Sequence, residues 1–370
     1  MIPILQLNTQ YETIGAELEE AVLRALRGTH YILGPEVTAF EREFAEWHGQ
    51  EAAVGVGNGT DALHLAVRAL DLGPEDEVIC PAFTFIATAG AIALAGAKPT
   101  FCDIDPVHFA MDPEDLKKRI TPATKAIVVV HLFGHPAPMN EIMAIAKEHN
   151  LAVIEDCAQA TGAEYHGKKV GTIGDFGCFS FFPSKNLGGV GDGGMVLANT
   201  AEGLEKIRML RGHGSKVKYY HDCLGTNSRL DELQAAALRV KLRYLEGWND
   251  QRRRVAARYQ ANLASVIGLP AEDTACKHVF HQYTTRVPKR DEFKSYLEGK
   301  GVGTMIYYPV SLHQQKAFQE LGYDDNEFPV TRKAQEEVLS LPMFPELSDE
   351  QVDEISEAVK SFLKAPLATA

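Results

Sequence analysis

Cysteine is scarce in this sequence and positive charge is in deficit, and each shortage excludes a class of function. The 370 residues include six cysteines, none in a C-x-x-C pair. This argues against a zinc site or a disulfide framework and suits a reducing cytosol. Acidic residues number 50 against 37 lysines and arginines, for a net charge of -13. We therefore predict no metal centre, and no nucleic-acid partner held by bulk electrostatics.

Long hydrophobic runs are also rare, and the longest uncharged stretch needs a closer look. Residues 78–97 carry no charge over twenty residues, but Pro81, Gly90 and Gly96 interrupt them. We interpret the stretch as a strand, a loop and a buried alanine-rich helix rather than a membrane span. The N-terminal MIPILQLNTQYETIG has no basic region followed by an apolar run, so no signal peptide is predicted. A cytoplasmic protein without membrane association is expected.

Hydrophobic patterning predicts an α/β fold with two domains. Apolar residues at every fourth position predict an amphipathic helix over Tyr11–Gly28. Short apolar runs without in–out alternation then alternate with helical stretches, which indicates a mostly parallel sheet covered on both faces. These runs are AAVGV, DEVICP, PTFCDID, AIVVVHLFG, LAVIED and GMVLAN. After about Leu230 one or two long helices lead to a smaller mixed region. We predict a large domain over 1–245 and a small C-terminal domain over 246–370.

A buried strand and a later loop supply the residue types that one cofactor requires. LAVIED ends in Asp156, at the carboxyl edge of the predicted sheet, where open α/β sheets bind ligands. Lys185 follows in SFFPSKNLGGVGDGGMV. Pyridoxal 5'-phosphate (PLP) needs a lysine for a Schiff base and a carboxylate facing its ring nitrogen. VGVGNGTDAL adds a strand, a glycine-rich turn and a helix start with Thr60, which is suited to a phosphate. Taken singly, Asp156 is more typical of a turn or helix cap, and Lys185 of a solvated loop.

The glycine patterns leave a nicotinamide-dependent oxidoreductase as an alternative. GGVGDGG contains G-x-G-x-x-G over 189–194, but a strand follows where a dinucleotide site requires a helix. GVGNGT over 55–60 lacks the third glycine, and neither pattern has the GK[ST] ending of a nucleoside-triphosphate loop. A PLP-binding regulator without turnover is a further alternative. The presence of both Lys185 and Asp156 argues against it.

Six motifs occur in an order that resembles the sugar-nucleotide aminotransferase family of the DegT/StrS type, which are fold-type-I PLP enzymes. They are YILGPEV, GNGTDAL, PAFTFIATA, EDCAQATGA, SFFPSKNLGGVGDGG and GTNSRLDELQAA. The resemblance runs from Ile2 to beyond Pro342. It implies an aspartate-aminotransferase-like fold, with a mostly parallel seven-stranded sheet flanked by helices and a smaller α/β C-terminal domain. It also implies a homodimer with shared active sites. Dehydratase relatives carry histidine in place of Lys185, so the lysine favours an aminotransferase.

The resemblance implies a role for each residue that matches a family motif. Lys185 would form the Schiff base, and Asp156 would pair with the pyridinium nitrogen. Phe85 would stack on the cofactor ring and Gln159 would sit against its oxygen-bearing face. The phosphate would be held by Gly59, Thr60 and Ser180. Asn227 of the neighbouring subunit would complete this phosphate site.

Substrate contacts are implied for Arg229, Tyr308 and His313. Basic residues near them, Arg211, His213 and Lys216, are either diphosphate contacts or part of a solvated loop. The run Arg252–Arg254 is interpreted as a solvated helix face. His131 is interpreted as a buried histidine with satisfied hydrogen bonds.

The implied reaction moves an amino group from L-glutamate to a nucleotide-diphosphate keto sugar. The segment NSRLDELQAAALRVKLRYLEGWNDQRR is most similar to relatives that aminate C3 of dTDP-linked 3-keto-6-deoxyhexoses. UDP-linked 3-keto or 4-keto sugars are alternatives. The nucleotide, the sugar stereochemistry, the carbon aminated and any assembly beyond a dimer stay open at this point.

Overall fold

The computed structural model describes residues 1–271 and 273–364. Position 272 and positions 365–370 of the predicted small domain lie outside the described residues. Within these ranges the α-helices are α1 Asn8–Gly28, α2 Pro35–His48, α3 Gly59–Ala69, α4 Ala87–Leu94, α5 Pro113–Arg119, α6 Met139–His149, α7 Ala201–Arg211, α8 Glu232–Leu242, α9 Leu245–Leu263, α10 Arg290–Gly299, α11 Pro329–Glu337 and α12 Asp349–Lys364.

The β-strands are mostly short, and seven of them build the main sheet. The strands are β1 Ala53–Val56, β2 Glu77–Pro81, β3 Lys98–Cys102, β4 Thr124–Val130, β5 Ala152–Asp156, β6 Glu164–Tyr165, β7 Lys168–Lys169, β8 Phe176–Ser180, β9 Gly194–Ala198, β10 Ser215–Val217, β11 Tyr220–His221, β12 Cys276–Lys277, β13 Tyr283–Arg286 and β14 Val338–Leu341. Turns of 3₁₀ helix lie at Leu132–Gly134, Leu312–Gln314, Lys316–Leu321 and Asp325–Glu327.

The main sheet has the strand order β1-β9-β8-β5-β4-β2-β3. Strands β8, β5, β4, β2 and β3 pair in parallel, and β9 alone runs against its neighbours β1 and β8. The predicted mostly parallel seven-stranded sheet is confirmed. Because β5 and β8 are parallel neighbours, the residues that end them, Asp156 and Ser180, come to the same edge of the sheet.

Helices cover both faces of this sheet, and their ends follow from local sequence. Asn58 begins α3, since its side chain accepts a hydrogen bond from Asp61 N at 2.8 Å. The predicted first helix starts three residues before Tyr11 and is ended by Thr29 in a left-handed conformation, at φ 56°. The uncharged stretch 78–97 forms β2, a loop and α4, as predicted. No helix of the described residues is long and apolar enough to span a membrane.

A second hydrophobic core lies in the C-terminal part of the chain. It joins α9, α10, α12 and β14 through buried residues between 255 and 359, and Ile2 from the N-terminus also packs into it. The predicted boundary at 245/246 falls at the start of α9. Phe318 and Phe328 pack instead against the main sheet at Phe101, so the segment around them bridges the two cores.

Candidate active site

A cavity of about 460 Å³ opens where β5 and β8 end, between the main sheet and the C-terminal core. Eight of the predicted site residues line it: Gly59, Thr60, Phe85, Asp156, Gln159, Ser180, Lys185 and Tyr308. The fold brings them together from strand ends, a helix start and three loops. Its remaining wall includes residues that the motifs do not single out, notably Ile4, Leu5, His281, Gln282, Leu341 and Met343.

Lys185 lies in this cavity without a partner for its amine. The Nζ atom has no hydrogen-bond acceptor among the described residues. The surrounding protein desolvates the ammonium and lowers the pKa of Lys185 to about 8, although the carboxylate of Asp156 acts in the opposite direction. A lysine with a depressed pKa is neutral for part of the time near pH 7, which is the form that acts as a nucleophile or base.

Asp156 is a buried carboxyl group held by two donors. Thr88 Oγ1 donates to Oδ2 at 2.9 Å, and Ala158 N donates to Oδ1 at 3.1 Å. Burial raises the pKa of Asp156 above its ordinary value, while these hydrogen bonds and Lys185 lower it. A cationic N–H group that entered the cavity beside this buried carboxylate would stabilise it through a charge-assisted hydrogen bond.

The start of α3 and the end of β8 form a narrow cradle. A Cβ atom on Gly59 would lie 2.6 Å from Ser180 Cβ, so only glycine allows this approach. The Asn58 cap engages Asp61 N, and the preceding N–H groups of Gly59 and Thr60 have no acceptor within the described part of the chain. Free N–H groups at a helix start, beside two hydroxyls, are suited to a phosphate.

Aromatic and amide groups close another wall of the cavity. Gln159 is fixed at both ends, since its Oε1 accepts from Phe133 N at 2.7 Å and its Nε2 donates to the Tyr308 hydroxyl at 2.9 Å. Phe85 is 53% exposed, and its ring centroid lies 6.1 Å from that of Tyr308. An exposed phenylalanine at a cavity mouth is available to stack on a planar ring.

Three predicted site residues do not line the cavity of the single chain. Asn227 is exposed and Arg229 half-buried in the loop before α8. His313 is buried, with its ring 4.7 Å from Phe328 and its Nε2 3.4 Å from Asp325 Oδ1. The roles of these three residues stay predictions.

Two further basic candidates have clear structural contacts. Arg211 is buried, and its Nη1 donates to Glu41 Oε1 at 2.6 Å and to Gly55 O at 2.5 Å, so it braces β1 and is not turned to a diphosphate. His213 and Lys216 are exposed. His131 has both ring nitrogens engaged, one with Glu155 at 3.0 Å, as expected of a satisfied buried histidine.

The interpretation of Arg252–Arg254 as a solvated helix face is wrong for Arg252. Its side chain is 3% exposed, and Nη1 donates to the carbonyls of Phe280, His281 and Met343 at 3.1, 3.3 and 3.1 Å. Since His281 and Met343 line the cavity, Arg252 ties two of its wall segments together. Arg254 does lie at the surface, where it pairs with Asp349.

Comparison with known proteins places this geometry in a family. The family model described as the DegT/DnrJ/EryC1/StrS aminotransferase family matches residues 12–360. The chain is 50% identical to a pleiotropic regulatory protein of Geobacillus stearothermophilus, covering 98% of this chain and 99% of the relative. It is 48% identical to a UDP-N-acetyl-3-dehydro-alpha-D-glucosamine 3-aminotransferase of Acidithiobacillus ferrooxidans, with 98% of each covered. It is 42% identical to a dTDP-3-amino-3,4,6-trideoxy-alpha-D-glucose transaminase of Streptomyces venezuelae, covering 98% and 96%.

Solved structures agree in fold. The S. venezuelae protein DesV, crystallised with a ketimine intermediate, superposes with a TM-score of 0.96 at 42% identity, over 99% of both chains. The Bacillus subtilis protein NtdA, solved with the bound cofactor PMP (pyridoxamine phosphate), superposes with a TM-score of 0.87 at 32% identity, over 94% of this chain and 82% of that one.

Proposed function

The chain belongs to the DegT/DnrJ/EryC1/StrS aminotransferase family and is a PLP-dependent sugar-nucleotide aminotransferase, and on that premise we propose its substrates and its catalytic residues. The proposed reaction transfers the amino group of L-glutamate to C3 of a dTDP-linked 3-keto-6-deoxyhexose. The observation that carries the proposal is the meeting of Lys185, with its unpartnered amine and pKa of about 8, and buried Asp156 in one cavity.

The residues present fit PLP at each of its polar groups. We assign Lys185 to the aldehyde carbon, Asp156 to the ring nitrogen, and the cradle of Gly59, Thr60 and Ser180 to the phosphate. Phe85 would stack on the ring and Gln159 would lie against it, held in place by its two hydrogen bonds. When bound, PLP supplies an electron-withdrawing ring that stabilises negative charge at the carbon losing a proton.

Lys185 is the proposed proton carrier. Its neutral Nζ, favoured by the depressed pKa, accepts the proton from the α-carbon of glutamate and later returns one to C3 of the sugar. Asp156 keeps its negative charge facing the ring nitrogen and thereby holds a proton on that nitrogen. The apolar wall formed by Ile4, Leu5 and Leu341 excludes water from the reacting atoms.

We further propose a homodimer in which each subunit completes the other's site. Of the described residues that line the cavity, Lys185 is the only cation, and the acidic residues Asp156 and Asp192 line the same cavity. A phosphate, a diphosphate and the glutamate carboxylates all need positive partners, so a single chain lacks the charge to bind them. Arg229 of the partner subunit would supply positive charge and Asn227 of the partner subunit a hydrogen-bond donor, since neither residue is buried in the single chain.

Two observations bear on the nucleotide, and they favour different bases. The S. venezuelae relative named for a dTDP sugar supports dTDP, and so does the likeness of residues 227–253 to relatives that aminate dTDP-linked sugars. The 48% identical relative from A. ferrooxidans, named for a UDP sugar, supports a UDP-linked 3-keto sugar as the second candidate. Both of these names specify an amino group at C3.

Absorption spectroscopy tests the proposal in two stages. The protein loaded with PLP should show the visible band of a lysine Schiff base, and L-glutamate should bleach it. A Lys185→Ala variant should bind PLP without this band and should not transaminate; substantial turnover by the variant would refute the assignment.

The second stage identifies the acceptor. The glutamate-treated protein, freed of excess glutamate, is offered dTDP-linked and UDP-linked 3-keto sugars separately, and return of the visible band is timed. Faster return with the dTDP sugar supports our proposal. Faster return with the UDP sugar selects the second candidate, and no return with either would reject both.

A further inference from the structure

A row of buried amides lies behind the cavity wall. Asn249 Nδ2 donates to Thr161 O at 3.1 Å. Asn186 Nδ2 donates to Asn249 Oδ1 at 2.8 Å and to Val279 O at 3.1 Å. At the end of the row, His281 Nδ1 lies 3.0 Å from Asn186 Oδ1. All three side chains are at most 8% exposed, so no bulk water competes for these groups.

This row determines which nitrogen of His281 carries the proton. The main-chain carbonyls of Thr161 and Val279 only accept hydrogen bonds, so each asparagine must turn its Nδ2 towards them. The Oδ1 atom of Asn186 therefore faces His281, and because that oxygen only accepts, His281 Nδ1 must be the donor. A neutral imidazole protonated at Nδ1 leaves Nε2 as a hydrogen-bond acceptor.

The neutral state of His281 has a physical cause. Burial, followed by the positive charges of Lys185 and Arg252, lowers the pKa of His281 well below its ordinary value. A second proton on the ring is therefore disfavoured throughout the neutral pH range.

The acceptor atom of His281 has no partner among the described residues. No group of the described residues donates to Nε2. His135 Nε2 is an unpartnered atom that the described residues seal from solvent, whereas His281 Nε2 does not belong to that set. His281 lines the cavity that also holds Lys185, so the cavity is the route by which a ligand would reach Nε2. A ligand that entered the cavity would therefore meet an unsatisfied acceptor, which it must pair with a donor to avoid a desolvation penalty.

Only one of the two substrates has a spare donor to offer. Away from its reacting amino group, glutamate presents carboxylates, which accept hydrogen bonds and would oppose Nε2. A keto sugar presents hydroxyl groups beside the reacting carbon. We propose that His281 is a specificity-determining residue whose Nε2 accepts a hydrogen bond from a hydroxyl of the keto sugar. The identity of this donor rests on the proposed function, whereas the tautomer of His281 does not.

The tautomer is tested on the protein without cofactor or substrate. Nitrogen-15 NMR of protein labelled in its histidine rings, with His281 assigned by comparison with a His281→Asn variant, reports the proton on each ring nitrogen. We expect a protonated Nδ1 and an unprotonated Nε2 from pH 6 to pH 8. A proton on Nε2 in this range would overturn the proposal.

A matched pair of variants tests the hydrogen bond to the sugar. His281→Asn keeps a donor at the Nδ1 position for Asn186 but removes the cavity acceptor. His281→Gln removes the Nδ1 donor but can place an amide oxygen where Nε2 was. If the acceptor matters, His281→Asn should lower kcat/KM for the keto-sugar half-reaction about tenfold, the value of one neutral hydrogen bond. His281→Gln should retain more of it.

If His281 had only a structural role, His281→Asn should retain more activity than His281→Gln, because only the hydrogen bond to Asn186 would then matter. The glutamate half-reaction, followed by bleaching of the visible band, should fall much less than the sugar half-reaction in His281→Asn. Equal losses in the two half-reactions would overturn the proposal. Should the wild-type protein bleach with glutamate but aminate no keto sugar, both the proposed substrate and the hydroxyl donor would be rejected, while the NMR result would still decide the tautomer.

Discussion

Replacing Lys185 with methionine should make the cofactor-free protein more stable at pH 7. Burial in the cavity lowers the pKa of this lysine from 10.5 to about 8. One pKa unit corresponds to about 1.4 kcal/mol, so the charged amine costs the folded state at most about 3 kcal/mol. Water in the open cavity screens part of this, and a gain of about 1–3 kcal/mol is expected. Methionine has a similar length, carries no charge and fits irregular apolar space.

The gain should depend on pH with a definite sign. Above pH 10.5 the lysine is neutral in both folded and unfolded states, and the charge penalty is absent. As the pH falls from 10.5 to about 8, the unfolded chain takes up a proton that the folded protein does not, so the wild type loses stability. Below about pH 8 the penalty is complete. The advantage of Lys185→Met should therefore be largest at pH 7 and should fall to about a quarter of that value at pH 10.

Lys241 supplies a matched control. Burial lowers its pKa to about 8 as well, but its Nζ donates to Gly188 O at 2.8 Å. Lys241→Met removes a buried charge and also leaves that carbonyl unpaired, which costs about 1–3 kcal/mol. The two effects oppose each other, so little or no net gain is expected.

Urea unfolding of the three cofactor-free proteins, at pH 7 and pH 10 and at one protein concentration, measures these differences. The reasoning fails if Lys185→Met is no more stable than the wild type at pH 7. It fails equally if its advantage is the same at both pH values. Confirmation would mean that the fold retains Lys185 at the expense of stability, as expected of a residue kept for chemistry.

Two further variant pairs follow from the structure. Arg252→Met should destabilise the protein by about 3 kcal/mol, because it removes the donor from three buried carbonyls. Arg254→Met, at the surface, should change the free energy of unfolding by less than about 1 kcal/mol. Urea unfolding compares the two variants, and equal effects would contradict the buried position of Arg252. Gly59→Ala should weaken PLP binding at least tenfold, because its Cβ would push Ser180 out of the phosphate cradle. Gly247→Ala, with open space around its Cβ, should leave PLP binding unchanged. Fluorescence titration with PLP measures both variants, and unchanged binding by Gly59→Ala would show that the cradle does not hold the cofactor.

Hydrophobic runs predict most of the main sheet because its parallel strands are buried on both faces. LAVIED and AIVVVHLFG are near-continuous apolar runs, and they form β5 and β4. Strand β8, which pairs with β5 on the side opposite β4, is not predicted by this reasoning. Phe176–Ser180 reads FGCFS, a short run with glycine and serine that follows a glycine-rich loop. Its strand conformation depends on pairing with β5 and β9, a tertiary effect that no local pattern carries.

The residues of the candidate site also divide into those that a local motif predicts and those that only the tertiary fold brings in. Lys185, Asp156 and the start of α3 lie in motifs whose residue types already point to a cofactor. His281 and Gln282, which line the same cavity, stand in HVFHQYTTR without a local signal. They reach the site only because the C-terminal core packs over the sheet edge, and sequence spacing does not report that contact.

Arg252 shows why a run of like residues on a helix should not be interpreted as one surface. Successive residues of an α-helix point about 100° apart, so three consecutive arginines cannot share one face. In α9, Arg252 takes the inward direction and Arg254 the outward one. The buried guanidinium then has an electrostatic consequence for the site. With Lys185 on the cavity side and Arg252 behind it, His281 is flanked by two positive charges, and a further charge on its ring is opposed from both sides. The hydrogen-bond acceptor that we assign to His281 is therefore maintained by the buried arginine as well as by the asparagine row, and Arg252→Met should raise the pKa of His281 even where the fold survives.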